Sequence, residues 1–331
     1  MPQRPRGCEL HRLIATLLGM KMATLLGMKM TRTLALLSLL LACSTMLPVP
    51  AHAQDWAKAR LESSPRHREY VTLHPGGSRN LQALVVYPEV KDKASVVVMI
   101  HEIFGLSDWA KEMADELASE GFIVIAPDLL SGFGPGGGGS DAFPSQDDRV
   151  KAVSGLDPAG VLADLDAAAD YAKKLPAANG KIAVAGFCWG GSKSFAFAAH
   201  RPDLSAAFVF YGTAPADVKP ITAPVYGFYA GNDARVGATI PATTEAMKAA
   251  GKSYNPVTYD GAGHGFMRAG EDPGNTNPAN KTARDQAFAR LVKLLHEMGP
   301  AKTTAAQNPA PSEHASELAA ASKPLCHDPA R

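Results

Sequence analysis

The sequence is poor in cysteine and carries almost no net charge. Its 331 residues include 4 cysteines, 33 lysines and arginines, and 32 aspartates and glutamates, which give a formal net charge of +1 at pH 7. So few cysteines do not make a disulfide scaffold in a chain of this length. A near-neutral chain also lacks the basic footprint of nucleic-acid binding, so we expect no nucleic-acid partner.

Long apolar segments are also missing. The apolar run Leu34–Leu41 is too short to cross a bilayer as a helix, so we expect no stable membrane span. The basic residues Lys29 and Arg32 precede this run, and a small-x-small sequence that ends at Ala53 follows it. We therefore expect residues 1–53 to be a leader cleaved after Ala53, and the mature protein to be periplasmic or secreted. A buried N-terminal helix is the alternative.

The leader contains two further features. The sequence ATLLGMKM occurs twice in succession, as Ala15–Met22 and Ala23–Met30. Translation could therefore begin at Met22, Met28 or Met30. Cys43 follows the sequence Leu-Leu-Ala, which resembles a lipoprotein processing site, so lipidation of Cys43 is the alternative to cleavage after Ala53.

Between about Tyr70 and Met298, predicted strands and helices alternate. The continuous apolar run Val96–Ile100 is typical of a strand that is buried on both faces. Further strands are predicted at Phe122–Ala126, Lys181–Ala185, Ala207–Tyr211, Val225–Tyr229 and Val257–Tyr259. Helices are predicted from Ser107 to Glu120, from Asp157-Pro158, from Ala238 to Ala250 and from Thr282 to Met298. This alternation predicts the α/β class, with a mostly parallel sheet between two layers of helices.

We expect residues 54–300 to form a single domain, and the composition changes at two places. Residues 301–331 are rich in Ala, Pro, Ser and Thr and include Cys326, so we expect a disordered tail. The segment Ser131–Ser140 contains four consecutive glycines at 136–139. It lacks the lysine and the helix start of a phosphate-binding loop, so the composition favours a flexible linker.

Cys188 lies in a sequence that is typical of a nucleophile elbow. A predicted strand runs into Gly-Phe-Cys-Trp-Gly-Gly at 186–191, and helix-forming residues follow. The glycines are needed because the turn is sharp and larger side chains would collide with the neighbouring strand and helix. The first turn of the helix would also present N–H groups that favour a thiolate. A cysteine without this context would more often be a small core residue.

Asp233 and His264 follow two later strands. The chain order of nucleophile, acid and histidine is that of the α/β-hydrolases. All three residues come just after predicted strands, and the carboxyl ends of parallel strands share one edge of the sheet. Asp233 alone could cap a turn. His264 is flanked by Gly263 and Gly265 and is a poor candidate for a core histidine.

With these residues the sequence resembles the dienelactone hydrolase family of the α/β-hydrolase superfamily. The segment His-Glu-Ile-Phe-Gly at 101–105 and Arg268, four residues after His264, contribute to the resemblance, which covers roughly 70–298. It implies that Cys188 is the nucleophile, that His264 is its general base and later acid, and that Asp233 orients the imidazole. It also implies an oxyanion hole formed by the backbone N–H groups of Ile103 and Trp189.

The resemblance implies roles for three more side chains. Glu102 would interact with the resting cysteine and help to convert it to a thiolate. Arg268 would pair with a carboxylate of the substrate, with Arg149 as the candidate for a second such arginine. Arg268 could instead be an ordinary surface cation, and the sequence Asp147-Asp148-Arg149 offers no motif for Arg149. Gly265 occupies a position where some relatives carry a hydroxyl, so the substrate need not be dienelactone itself.

We therefore expect a hydrolase that cleaves activated esters or lactones through a thioester acyl-enzyme. A small ester or lactone would be its partner, no cofactor would be needed, and the protein would be a monomer. No His/Cys cluster has the spacing of metal ligands, so we expect no metal site. A general periplasmic carboxylesterase is the alternative within hydrolases. The alternatives from other classes are a redox thiol protein that pairs Cys188 with Cys326, and a binding protein without catalysis.

Overall fold

A computed structural model describes residues 54–76 and 79–298 of the chain. The predicted leader and its cleavage site, the lipidation site and the tail with Cys326 lie outside these residues. Within the part that the structure describes, no helix is both long enough and apolar enough to span a membrane.

The described chain alternates strands and helices. The strands are β1 (Arg68–Leu73), β2 (Leu81–Val86), β3 (Ala94–Ile100), β4 (Ile123–Pro127), β5 (Ala178–Phe187), β6 (Ala206–Phe210), β7 (Val225–Ala230) and β8 (Tyr254–Tyr259). The α-helices are α1 (Asp55–Ser63), α2 (Asp108–Ser119), α3 (Gln146–Ser154), α4 (Pro158–Lys173), α5 (Trp189–His200), α6 (Ala234–Gly237), α7 (Ile240–Ala249), α8 (Phe266–Ala269) and α9 (Pro278–His296).

All eight strands form one sheet in the order β1-β2-β4-β3-β5-β6-β7-β8. Strand β2 pairs antiparallel with β1 and with β4, and every later pairing is parallel. The central strand β3 lies between β4 and β5, where Val96 is paired with Ile123 and Ile182. The predicted α/β architecture with a mostly parallel sheet is confirmed.

Helices cover the sheet on both faces. Successive side chains of a strand point to opposite faces, so strands that are apolar throughout must be covered on both sides. On one face, Val97 and Met99 of β3 belong to a core with residues of α1, α2 and α9. On the other face, Val96 and Val98 belong to a core with residues of α4, α5 and α7. Both faces of β3 are therefore buried, which explains its uninterrupted apolar sequence.

The helix starts follow local capping chemistry. The predicted caps are confirmed at α2, where Ser107 accepts from the N–H of Ala110, and at α4, where Asp157 accepts from the N–H of Gly160. Helix α9 begins one turn earlier than the predicted Thr282. Asn277 caps it by accepting from the N–H of Ala279, and Pro278 occupies the first turn.

The interpretation of Ser131–Ser140 as a flexible linker was wrong. The segment folds back on itself, with the N–H groups of Gly132 and Gly134 both donating to the carbonyl oxygen of Gly138. The buried Asp128 then accepts from the backbone N–H of Ser140 at 2.7 Å and from its hydroxyl at 2.6 Å. The glycines allow tight turns, and the carboxylate fixes the segment to the end of β4.

Candidate active site

Cys188 lies on a strained turn between β5 and α5. Its φ of 56° is in the left-handed region, which non-glycine residues seldom adopt. Its N–H donates to the carbonyl oxygen of Phe210 at 3.0 Å, which ties the turn to the neighbouring strand β6. A Cβ on Gly186 would overlap the carbonyl group of Gly190, and a Cβ on Gly190 would overlap that of His101. The elbow thus depends on both glycines.

The structure brings Cys188, His264 and Asp233 together at the carboxyl edge of the sheet. His264 Nε2 lies 3.1 Å from Cys188 Sγ. The opposite ring nitrogen of His264, Nδ1, lies 2.5 Å from Oδ2 of Asp233. Because a buried carboxylate accepts, Nδ1–H donates to Asp233, and Nε2 is left to accept the thiol proton. The three predicted residues therefore form one hydrogen-bonded chain.

The loops that carry the acid and the histidine are fixed to each other. The N–H of Asn232 donates to the carbonyl oxygen of Ala262 at 2.9 Å. The N–H of Gly263 donates to the side chain of Asn280 on α9 at 2.8 Å. The other carboxylate oxygen of Asp233 accepts from the N–H of Val236 and so caps α6. These contacts hold the imidazole at its distance from the sulfur.

Burial raises the pKa of the Cys188 thiol to about 11, and the negative charge of Glu102 adds to the shift. The backbone N–H groups of Trp189 and Ile103 donate to the sulfur and act in the opposite direction. The N–H groups that were expected to favour a thiolate are thus present. Burial has the larger effect on the pKa, so the resting sulfur is a thiol at neutral pH. Both N–H groups predicted to form the oxyanion hole converge on the sulfur.

Glu102 is buried and bonded to two side chains. Arg268 Nε donates to its Oε2 at 2.8 Å, and the hydroxyl of Tyr211 donates to its Oε1 at 3.3 Å. The guanidinium of Arg268 also lies over the ring of Phe104, 5.0 Å from its centroid. Arg268 therefore lies next to the site, and part of its guanidinium already binds the carboxylate of Glu102.

Arg149, the second predicted substrate arginine, lies on α3, and its Nε is buried without a hydrogen-bond partner among the described residues. None of the contacts around the sulfur involves it. Tyr211, by contrast, was not singled out from the sequence. Its ring packs edge-on against His264 with centroids 5.0 Å apart, and its φ is 39°. Its place directly after a buried strand, like that of Cys188, is the signal that could have identified it.

His101 also lies beside the site. The sequence analysis noted it only as part of the segment at 101–105. It is fully buried, and its ring stacks on Trp189 with centroids 5.8 Å apart. Nδ1–H donates to the carbonyl oxygen of Glu102 at 2.7 Å, and burial lowers the pKa of the imidazole. The neutral ring of His101 therefore contacts both segments that supply N–H donors to the sulfur, the one that contains Ile103 and the one that contains Trp189.

A model of the dienelactone hydrolase family matches residues 81–299 of the sequence. The chain belongs to the dienelactone hydrolase family. It is therefore a hydrolase, and the match covers every residue of the site described above.

Relatives of this dienelactone hydrolase family member match it over most of their length. A Salmonella typhi protein with the provisional name carboxymethylenebutenolidase is 30% identical over 239 residues, which are 68% of this chain and 84% of the relative. The carboxymethylenebutenolidase of Pseudomonas putida is 30% identical over 213 residues, which are 60% of this chain and 86% of the relative. A Klebsiella pneumoniae structure, provisionally named a dienelactone hydrolase, superposes with a TM-score of 0.60 at 25% identity and covers 70% of this chain and 99% of its own.

Proposed function

We propose that the protein hydrolyses activated esters or lactones, with Cys188 as the nucleophile, His264 as the general base and Asp233 as the residue that orients the imidazole. The observation that carries the proposal is the hydrogen-bonded chain from Cys188 Sγ through both nitrogens of His264 to Asp233. The carboxymethylenebutenolidase name of the Pseudomonas putida relative supports lactones as the substrate class.

The first half of the reaction follows from the positions of the groups. Sγ attacks the ester carbonyl carbon while His264 Nε2 takes the thiol proton, so the nucleophile becomes charged only when the substrate is present. Negative charge then develops on the carbonyl oxygen, which the N–H groups of Trp189 and Ile103 stabilise. The protonated imidazole is stabilised by Asp233 and gives its proton to the leaving alcohol or enol. A thioester on Cys188 remains.

The second half repeats these roles with water. His264 Nε2 removes a proton from water, the resulting hydroxide attacks the thioester, and the acid leaves as Cys188 regains its proton. Because a thiolate is itself a good leaving group, the tetrahedral intermediate returns to substrate unless the alcohol leaves readily. This favours enol lactones and aryl esters over simple alkyl esters and amides. A general carboxylesterase would cleave alkyl esters with comparable efficiency.

Substitution of Cys188 tests the nucleophile. Hydrolysis of an enol lactone and of a 4-nitrophenyl ester by the wild type, Cys188→Ala and Cys188→Ser would be compared, with the fold checked by circular dichroism. We expect Cys188→Ala to lose activity on both substrates, and mass spectrometry of the rapidly quenched wild type to show the acyl group on the peptide that contains Cys188. Full activity of Cys188→Ala would refute the proposal.

We also propose that the protein is exported and that its leader is removed after Ala53. The order of basic residues, apolar run and small-x-small sequence supports export. Expression of the full chain in a Gram-negative host, followed by fractionation and N-terminal sequencing, tests this. A mature protein in the periplasm that begins at Gln54 is expected. A cytoplasmic protein that retains residues 30–53 would refute it.

A further inference from the structure

The peptide group between Glu102 and Ile103 is held from its carbonyl side. The carbonyl oxygen of Glu102 accepts from Nδ1–H of the buried His101 at 2.7 Å and from the N–H of Gly105 at 3.2 Å. In a trans peptide the C=O and the N–H point in opposite directions. The two donors on the oxygen therefore also fix the direction in which the N–H of Ile103 points.

The segment that contains this peptide group lies against the nucleophile elbow. Strands β3 and β5, which lead into the two segments, are parallel neighbours in the sheet. A Cβ on Gly190 would lie 2.4 Å from the carbonyl oxygen of His101, so the two backbones are in direct contact. The ring of His101 also stacks on Trp189, at an interplanar angle of 11°. One imidazole thus touches the segments of both N–H groups that face the sulfur of Cys188.

The other nitrogen of His101 has no hydrogen-bond partner. The side chain is fully buried, and Nε2 finds no donor among the described residues. A carbonyl oxygen only accepts, so the proton of the neutral ring is on Nδ1 and Nε2 is an unpaired acceptor. Burial of such an atom is unfavourable, and an apolar side chain at this position would avoid it. The advantage of histidine here is therefore the bond from Nδ1–H to Glu102.

We propose that His101 is a positioning residue, which aligns and polarises the peptide group between Glu102 and Ile103 so that its N–H stabilises the oxyanion. A donor on the oxygen of a peptide group strengthens the hydrogen bond that its N–H donates. When Cys188 Sγ attacks, the thiol proton passes to His264 Nε2, and an electron pair of the substrate carbonyl moves to its oxygen, next to this N–H. The inference rests on the proposed acyl transfer and adds a residue that touches no reacting atom.

Two reagents that react with the same sulfur separate the oxyanion from the thiol. Cys188 adds reversibly to trifluoroacetophenone, His264 takes the thiol proton, and the adduct carries a negative oxygen like that of the tetrahedral intermediate. Iodoacetamide alkylates Cys188 with loss of iodide, and no oxyanion forms. Fluorine NMR measures the dissociation constant of the ketone adduct without any need for hydrolysis. A residue that acts on the oxyanion should therefore change the affinity for the ketone and not the rate of alkylation.

Three substitutions of His101 are compared, with the fold checked by urea unfolding. His101→Phe keeps a ring against Trp189 and His101→Leu fills the space without one, and neither can donate to Glu102. His101→Asn can present an amide N–H near the position of Nδ1. We expect both donor-free variants to weaken binding of the ketone about tenfold and to lower kcat on a 4-nitrophenyl ester by a similar factor, with KM and the alkylation rate changed less than about twofold. His101→Asn should restore much of both losses.

The possible outcomes separate this inference from the proposed function. Equal losses in ketone affinity and in alkylation would show that His101 acts on the thiol, and would overturn the inference while leaving hydrolysis by Cys188 intact. Wild-type affinity for the ketone in the donor-free variants, or no recovery in His101→Asn, would overturn it as well. A wild type that binds the ketone but cleaves neither ester nor lactone would remove the proposed function, and the ketone affinities would still decide the role of His101.

Discussion

Arg268 and Glu102 lie 166 residues apart in the sequence and form an ion pair, with Nε and Oε2 separated by 2.8 Å, beside the thiol of Cys188. The carboxylate raises the pKa of the thiol, in addition to the effect of burial. The arginine limits that effect by neutralising the carboxylate. The two side chains therefore influence the nucleophile in opposite directions although neither is part of the hydrogen-bonded chain.

Glu102→Gln is expected to make the resting thiol more reactive. Removal of the negative charge lowers the pKa of Cys188, and a decrease of about one pH unit makes the thiolate about ten times more abundant at pH 7.5. The rate of alkylation by iodoacetamide, followed from pH 6 to pH 10, measures this change. Below its pKa, the wild-type thiol should react about tenfold faster for each pH unit.

Arg268→Gln is the matched control for this experiment, because it leaves Glu102 charged and uncompensated. Its alkylation profile should move to higher pH, opposite to that of Glu102→Gln. Profiles that move in the same direction would show that packing, and not charge, governs the thiol. Thermal unfolding of both variants checks that the fold is kept.

Asp233→Asn is expected to remove most of the activity while keeping the fold. Asparagine can still cap α6 by accepting from the N–H of Val236, but it carries no charge to stabilise the protonated His264 and can favour the wrong tautomer. We expect kcat on a 4-nitrophenyl ester to fall roughly a thousandfold or more. Asp260→Asn, which alters an exposed carboxylate in the histidine loop, is the control. A loss of less than tenfold in Asp233→Asn would contradict its role.

Gly190→Ala is expected to destabilise the protein, because the new Cβ would overlap the carbonyl groups of Ile100 and His101. Overpacking of this kind costs about 1–3 kcal/mol and would also displace Cys188. Urea unfolding measures the free energy of unfolding. Gly237→Ala in α6 is the control, since no described atom beyond its own turn lies within 4 Å of the point that its Cβ would occupy, and alanine favours helix there. Equal stability of the two variants would mean that the elbow tolerates a side chain.

Much of the site could be predicted because its signals are local. The strained turn at Cys188 requires glycines at fixed positions, and the chain order of Cys188, Asp233 and His264 limits the fold. The buried strands follow from continuous apolar runs. These features depend on residues that are close in sequence, so a single sequence contains them.

Other features depend on contacts between distant segments. The partners of Glu102 are Tyr211 and Arg268, and no local pattern shows that these three meet. The glycine-rich segment has the composition of a linker, yet Asp128 binds Ser140 and holds it in place. Strand β1 lacks the long apolar run of the central strands, because it is an edge strand with exposed side chains.

A group of carboxylates outside the site provides a test of pH dependence. Oxygen atoms of Glu112, Glu116 and Glu271 lie within 4.8 Å of one another. Arg60 of α1 lies 3.5 Å from both Glu112 and Glu271, and Arg284 of α9 pairs with Glu116 and Glu271. Ion pairs within this group connect α1, α2, α9 and the segment after α8.

Burial raises the pKa of Glu112 to about 9, and the neighbouring carboxylates Glu271 and Glu116 add to the shift. The folded protein therefore keeps a proton that the unfolded chain releases near pH 4.5. Unfolding releases this proton at intermediate pH, so Glu112 makes the free energy of unfolding decrease as the pH rises from about 4.5 to about 9. The full stability is present only below that range.

Glu112→Gln is expected to remove this decrease in stability at higher pH. Glutamine can donate to Glu271 as the protonated acid does, and it has no proton to release in this pH range. Its free energy of unfolding relative to the wild type should rise between pH 5 and pH 8.5, by up to about 1.4 kcal/mol for each pH unit over which the folded protein keeps the proton. Urea unfolding at the two pH values measures it, and Glu62→Gln, an exposed substitution on α1, is the control. A difference between variant and wild type that stays constant with pH would show that Glu112 is already ionised in the folded protein, with Arg60 compensating its charge.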